Sequence, residues 1–172
     1  GFTEFVPLSF IHSEAPLHFK QMVPDVRPGP SGDDVMRLIA ISRLLLGPSF
    51  KNIQTSWVKE GLRQAQWLLS CGANDLGGTL MNESISTSAG AQHGQLVSPS
   101  TLRGVIRDAG RPPAERNTRY EILRGFSLDA GDDPSHPLDL VDDPEAEFGS
   151  YKQLTEQARS ARADAKRRLA QA

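Results

Sequence analysis

Cysteine occurs once in these 172 residues, at Cys71. A single thiol excludes an intrachain disulfide and any cysteine-based metal cluster assembled from this chain alone. Its flanks, Ser70 and Gly72, offer no electropositive neighbourhood, so Cys71 reads as a small apolar residue near a helix end. An excess of one charge is missing as well. The chain has 19 Lys and Arg against 21 Asp and Glu, a net charge of -2. Neutralising phosphates takes a strong basic excess, so nucleic acid is not an expected partner. No apolar run approaches the roughly 18 residues of a membrane span. No basic, Ser-rich or apolar leader opens the chain. These absences lead us to expect no membrane association and a cytoplasmic location, an organellar one being left open. The chain begins without Met, inside the strand-like Gly1-Phe2-Thr3-Glu4-Phe5-Val6-Pro7-Leu8, and reads as a piece of something longer.

The elements present follow a simple alternation. Phe2 to Phe10, rich in aromatic and β-branched residues, is expected to be a strand with its loop. Pro24, Pro28, Pro30 and Gly29 make Val23 to Gly32 a loop. Ser31, with Asp34 three residues on, signals a helix start. That helix should run from about Asp33 to Leu46, with Val35, Leu38, Ile39, Ser42 and Leu45 on its buried stripe, and stop at Gly47-Pro48. A strand over Asn52 to Val58 and a helix over Glu60 to Ser70 come next, with Gly72 as a C-terminal cap. Ala73 to Thr79 reads as a third strand. A polar loop then leads to a helix that opens at Ser98-Pro99 and ends at Gly110. Strand alternating with helix, and no hairpin signal between strands, implies parallel strands and right-handed crossovers. Such units build either an open doubly wound sheet or a closed barrel. The domain division expected is 1–124 for this α/β part, 125–150 for an acidic Pro-rich linker and 151–172 for a tail. The tail, rich in Ala, Lys and Arg, reads as an exposed helix or a disordered segment. Its Lys166-Arg167-Arg168 run reads as a solvated face.

In parallel α/β folds the functional edge lies where strands end and loops begin. That rule picks out Ser9, His12, Ser13 and Glu14 after the first strand, and Gln54, Thr55 and Ser56 on the second. The third contributes Asn74, Asp75, Gly77, Gly78, Thr79, Asn82 and Glu83. His12 could serve as an acid, a base or an orienting donor, or simply bond backbone. Gln54 and Ser56, two apart, share one strand face. Polar side chains on an inward face need partners, and a polar ligand would supply them. Asp75 is disfavoured in a strand and suggests a hydrogen-bonding role. Gly77-Gly78 allows close backbone approach, but no GxGxxG or P-loop spacing accompanies it. Trp57 and Trp67 read as packing residues. His12, His18 and Glu14 match no metal-ligand spacing, so no metal is expected among them.

Three segments then carry a resemblance: Phe2-Thr3-Glu4-Phe5-Val6-Pro7-Leu8, Asn52-Ile53-Gln54-Thr55-Ser56-Trp57-Val58-Lys59, and Ala73-Asn74-Asp75-Leu76-Gly77-Gly78-Thr79-Leu80-Met81-Asn82-Glu83-Ser84-Ile85-Ser86. Ala89-Gly90, His93-Gly94 and the stretch from Arg111 to Tyr120 continue it. Together they resemble the radical SAM enzymes of deazaflavin synthesis, the tyrosine-using subunit or module of FO synthase. The resemblance ends near residue 120 and covers none of the tail.

It implies the C-terminal portion of a radical SAM (β/α) barrel of the TIM-barrel kind. It also implies a reaction in which S-adenosylmethionine is cleaved at a 4Fe–4S cluster and tyrosine is activated. The 4-hydroxybenzyl unit then joins 5-amino-6-(D-ribitylamino)uracil on the way to coenzyme F-420, and a partner or fused second radical SAM module closes the ring. The family's CxxxCxxC loop is not in this chain, and Cys71 cannot replace three thiolates. The chain alone is therefore expected neither to bind the cluster nor to turn over S-adenosylmethionine. What the resemblance leaves here is one wall of a substrate site: His12, Gln54, Ser56, Asp75, Thr79, Asn82 and Glu83. Two other readings fit the same residues. One is a non-catalytic barrel piece that docks on a partner. The other is a menaquinone-pathway enzyme acting on a futalosine-type precursor.

Overall fold

Three short parallel segments form the centre of the fold. The computed structural model describes residues 2–81, 83–93, 95–131, 133–151, 153, 155–157 and 160. Strand β1 (Glu4–Phe5) pairs in parallel with β2 (Asn52–Ile53), Glu4 opposite Asn52 and Phe5 opposite Ile53. Beyond β2, Gln54 bridges in parallel to Asp75, and that bridge is all that the expected third strand over 73–79 contributes. The second strand ends sooner than its β-branched residues suggest. The Ser56 carbonyl already accepts the amides of Lys59 and Glu60, so a helix begins at Trp57.

Helices α1 (Pro16–Phe19), α2 (Gly32–Leu46), α3 (Trp57–Ser70), α4 (Ile85–Ser88) and α5 (Pro99–Asp108) follow in chain order. After α5 come an antiparallel hairpin, β3 (Ala114–Arg116) with β4 (Ile122–Gly125), a 3₁₀ turn at Pro137–Leu140, and α6 (Pro144–Phe148). The result is an α/β arrangement with one small parallel and one small antiparallel sheet.

Local chemistry sets the helix ends. Ser31 and Asp34 form a reciprocal capping box: the Ser31 hydroxyl accepts the Asp34 amide, and the Asp34 carboxylate accepts the Ser31 amide. Ser98 caps α5 through a single bond, its hydroxyl accepting the Thr101 amide, with Pro99 in the first turn. Gly72, at φ 122°, and Gly110, at φ 72°, take the left-handed conformations that end α3 and α5.

Side chains alternate across the parallel strands, and the two faces differ in kind. Phe5 and Ile53 face a core made by Val35 and Ile39 of α2, Trp57, Ala65, Leu68 and Leu69 of α3, and Leu102 of α5. Glu4, Asn52, Gln54 and Asp75 share the opposite, polar face. On α2 the buried stripe is narrower than its periodicity suggests. Val35, Ile39 and Ser42 are buried, whereas Leu38 and Leu45 lie on its flank and are 44% and 74% exposed. Arg43 ties α2 to the strand ends by donating to the Gly72 carbonyl at 2.7 Å and to Asn74 Oδ1 at 2.8 Å.

The acidic segment after the hairpin does not float free in solvent as its composition suggests. Asp133 pairs with both Arg103 and Arg107 of α5, at 2.8 and 2.6 Å. Asp139 accepts the Ser100 amide at 2.8 Å, Gln95 donates to the Gly149 carbonyl at 2.6 Å, and Ser150 is buried. The Arg107 hydrogen bond, with help from Arg103, holds the Asp133 carboxyl down at about 2, against an ordinary 3.8. A depressed pKa stabilises the folded form above the unfolded value and ceases to do so as pH falls through the folded one. The contribution of this attachment should thus be complete above pH 3.8 and vanish as pH drops through about 2. Thermal midpoints of the wild type and Asp133→Asn, followed against pH, should differ at neutrality and converge below that range.

No helix among the described residues is long and apolar enough to cross a membrane. Residues 161–172, including Lys166-Arg167-Arg168, lie outside the described residues.

Candidate functional site

The polar face of the parallel strands is covered by the hairpin. Each helix that follows a strand starts at the sheet's C-terminal edge and returns toward the N-terminal edge. The chain that leaves α5 therefore approaches the polar face from the N-terminal side. Its Arg116 meets Asp75 with a forked pair of bonds, Nε to Oδ2 and Nη2 to Oδ1, the second at 2.9 Å. Nη2 also lies 3.5 Å from Gln54 Oε1. The Tyr120 hydroxyl donates to Glu4, and its ring lies under the Arg116 guanidinium at 3.9 Å. Asp75 Oδ1 accepts the Gly77 amide at 2.7 Å as well. Both carboxylate oxygens are thereby engaged, and the bond to Asp75 raises the Arg116 pKa above its ordinary value.

Gly77 is required where it stands. Its φ of 75° disfavours any side chain, and a Cβ there would lie 2.9 Å from Gln54 Nε2. The Gln54 amide donors thus rest against bare backbone. Trp57, buried beneath, donates Nε1–H to the Gly78 carbonyl at 3.0 Å and so fixes the far end of the Gly77-Gly78 turn.

At the C-terminal edge a second feature opens, a cleft of about 320 Å³. Loop residues Ser9 and His12, the first turn of α3 with Lys59 and Glu60, and Gly90 and His93 line it. The Ser9 hydroxyl donates to Glu60. His12 Nδ1 accepts the Gly29 amide at 3.1 Å, which leaves the proton of a neutral ring on Nε2. Helix α3 breaks at Gly61, with φ 77° and ψ 159°, and a Cβ there would sit 2.9 Å from His93 Nδ1. The break separates the turn that carries Lys59 and Glu60 from the rest of the helix.

The residues picked from sequence divide accordingly. Gln54 and Asp75 stand side by side in the hairpin-covered network, whereas His12 lines the cleft. Ser56 occupies the N-cap of α3, without a side-chain capping bond. Glu83 accepts the Ser86 amide at 2.5 Å and so caps the short α4. Thr79 follows Gly78 directly and is half-buried. Asn82 lies outside the described residues. Sequence reasoning missed Arg116, Tyr120 and Glu4 in the network, and Lys59, Glu60 and His93 in the cleft. For the hairpin, the one local clue is Asn117, whose side chain accepts the Arg119 and Glu121 amides to make the turn. Among the described residues no group of three His, Cys, Asp or Glu could hold a metal ion.

Residues 1–127 match the family described as CofH/MqnC C-terminal region. Three curated relatives carry the name 5-amino-6-(D-ribitylamino)uracil--L-tyrosine 4-hydroxyphenyl transferase. The Methanococcus aeolicus protein is 51% identical over 123 residues, which are 72% of this chain and 33% of the relative. The Methanopyrus kandleri protein is 51% identical over 126 residues, 73% and 33% of the two chains. The Methanospirillum hungatei protein is 55% identical over 120 residues, 70% and 32%. The chain thus spans about a third of the length of the curated relatives it matches. Its hairpin, its cleft and its polar face all fall within the matched residues, and the chain belongs to the CofH/MqnC C-terminal region family.

Proposed function

We propose that this chain supplies the C-terminal wall of a radical SAM (β/α) barrel that transfers the 4-hydroxybenzyl unit of L-tyrosine to 5-amino-6-(D-ribitylamino)uracil. One observation carries the reading: about half of the matched residues are identical to relatives named as 5-amino-6-(D-ribitylamino)uracil--L-tyrosine 4-hydroxyphenyl transferases. The parallel pairing of β1 with β2 and the Gln54–Asp75 bridge are what successive barrel strands would make. A second radical SAM module, fused or separate, would take the product onward to the deazaflavin.

The group this reaction needs, a 4Fe–4S cluster with S-adenosylmethionine, does not fit the residues present. Cys71 is the one cysteine of the sequence and caps the end of α3, and a single thiolate cannot hold what three must. The cluster therefore belongs to a portion of the enzyme other than these residues. The chain's own contribution is to bind and orient substrate. Gln54 turns its oxygen to Arg116, and its N–H donors have no partner among the described residues. They suit a carbonyl of the pyrimidine. Asp75, engaged by Arg116 and Gly77, holds that arrangement still rather than touching substrate through a free oxygen. His12 lines the cleft, with its Nδ1 taken by the Gly29 amide.

The gene sequence upstream of Gly1 and the activity of the full-length product test this reading. We expect an upstream CxxxCxxC, and coupling of tyrosine to ribitylaminouracil by the full-length protein. In that protein Gln54→Ala, Asp75→Ala and Glu83→Ala should each reduce coupling. Unchanged coupling in all three would overturn the assignment of this wall to substrate.

A further inference from the structure

We infer that the cleft at the C-terminal edge is the subsite for the zwitterionic head of an α-amino acid, with Glu60 receiving its ammonium group and Lys59 its carboxylate. The inference rests on the proposed function for the identity of the amino acid, L-tyrosine, and adds the residues that would hold it. Three observations carry it.

The first is charge. Lys59 and Glu60 are neighbours in the first turn of α3, both half-buried and both lining the cleft. Neither forms an ion pair among the described residues, so both charges are available to a ligand. A cation and a carboxylate that line one cleft, with no ion pair to either among the described residues, match a ligand that carries one charge of each sign. Aligned this way, each charged group gains a charge-assisted hydrogen bond.

The second is preorganisation. The Ser9 hydroxyl already holds one oxygen of Glu60, leaving the other for a ligand. The break at Gly61, packed against His93, turns this short segment out of the helix line and fixes its place beside the loop that carries His12. A side chain at position 61 would push His93 out of place, so the break is built for the cleft's shape.

The third is size. About 320 Å³ accommodates a single tyrosine-sized molecule, in the range of small-ligand pockets. The imidazoles of His12 and His93 then border the remainder of the ligand.

Kinetics on the full-length enzyme test the inference. Glu60→Gln is isosteric and retains an acceptor for Ser9, and Lys59→Met retains the length of the stem. Each should raise KM for tyrosine roughly 10- to 100-fold, the scale of one lost hydrogen bond to a charged group, with KM for ribitylaminouracil unchanged. Two probes report on the unaltered enzyme. Tyramine lacks the carboxylate and 3-(4-hydroxyphenyl)propanoate lacks the amine, and both should compete with tyrosine at least tenfold more weakly than tyrosine itself binds. Lys59→Met should abolish the penalty against tyramine alone, and Glu60→Gln that against the propanoate alone. Unaltered tyrosine KM in both variants would overturn the assignment, as would competition by the two probes as tight as tyrosine. A wild-type enzyme that does not couple tyrosine to the pyrimidine at all would instead overturn the proposed function.

Discussion

Replacing Trp57 by alanine is expected to destabilise the chain by about 3–5 kcal/mol, the range for removing a fully buried indole from a packed core. Trp57 is 1% exposed and sits where α2, α3 and the parallel strands converge. It also does two jobs at once, because its Nε1–H holds the Gly78 carbonyl. Trp57→Phe separates them: it keeps most of the volume and loses the bond. That variant should cost only about 1–2 kcal/mol, one hydrogen bond plus a small packing defect. Urea midpoints at unchanged m-value would measure both. A Trp57→Ala cost below that of Trp57→Phe would mean that the indole is not a core residue.

The second large effect concerns the Asp75–Arg116 pair. Removing either partner alone strands the other charge on a largely covered face, and about 2–4 kcal/mol is expected for Asp75→Ala or Arg116→Ala. That lies slightly below the cost for fully buried pairs, because the Arg116 side chain is 22% exposed. The double variant should cost far less than the sum of the two, since neither unpaired charge then remains. In the full-length enzyme the pair should matter beyond stability. Arg116→Lys keeps the charge but loses the fork that spans Asp75 and Gln54, so it should raise KM for the pyrimidine while the fold persists. Additive single effects would show that the two groups do not work as a unit.

Signals carried by neighbouring residues were legible in the sequence, and those carried by distant ones were not. The Ser31–Asp34 box, the Ser98-Pro99 start and the glycines at 72 and 110 declare themselves within four residues, and each lies where it was read. The strand limits were less legible, because Thr55, Trp57 and Val58 favour strand while the Ser56 carbonyl starts a helix. Tertiary context decided in favour of the helix. Gln54 and Asp75 were picked for their polarity, and they do meet. Their partner Arg116 is 41 residues beyond Asp75, in a hairpin whose strands are largely exposed and show no apolar alternation. Nothing in the pattern marks such a pairing. The acidic segment misled for the same reason. Asp133 looks solvated until Arg103 and Arg107, one helical turn apart on α5, are brought beneath it.

The bond between Tyr120 and Glu4 joins residues 116 positions apart, and this has a consequence for how the molecule comes into being. Contacts of such long sequence separation form late and slow folding, because the loop they close must lose its freedom first. On a ribosome adding roughly 5–20 residues per second, several seconds pass between the emergence of Asp75 and that of Tyr120. Through that interval the carboxylates of Glu4 and Asp75 face water with no counter-charge. The layer of helices can assemble meanwhile, since its core needs nothing beyond α5. The hairpin then turns an open acidic sheet into a neutralised floor, so its docking should be a slow, late phase of folding.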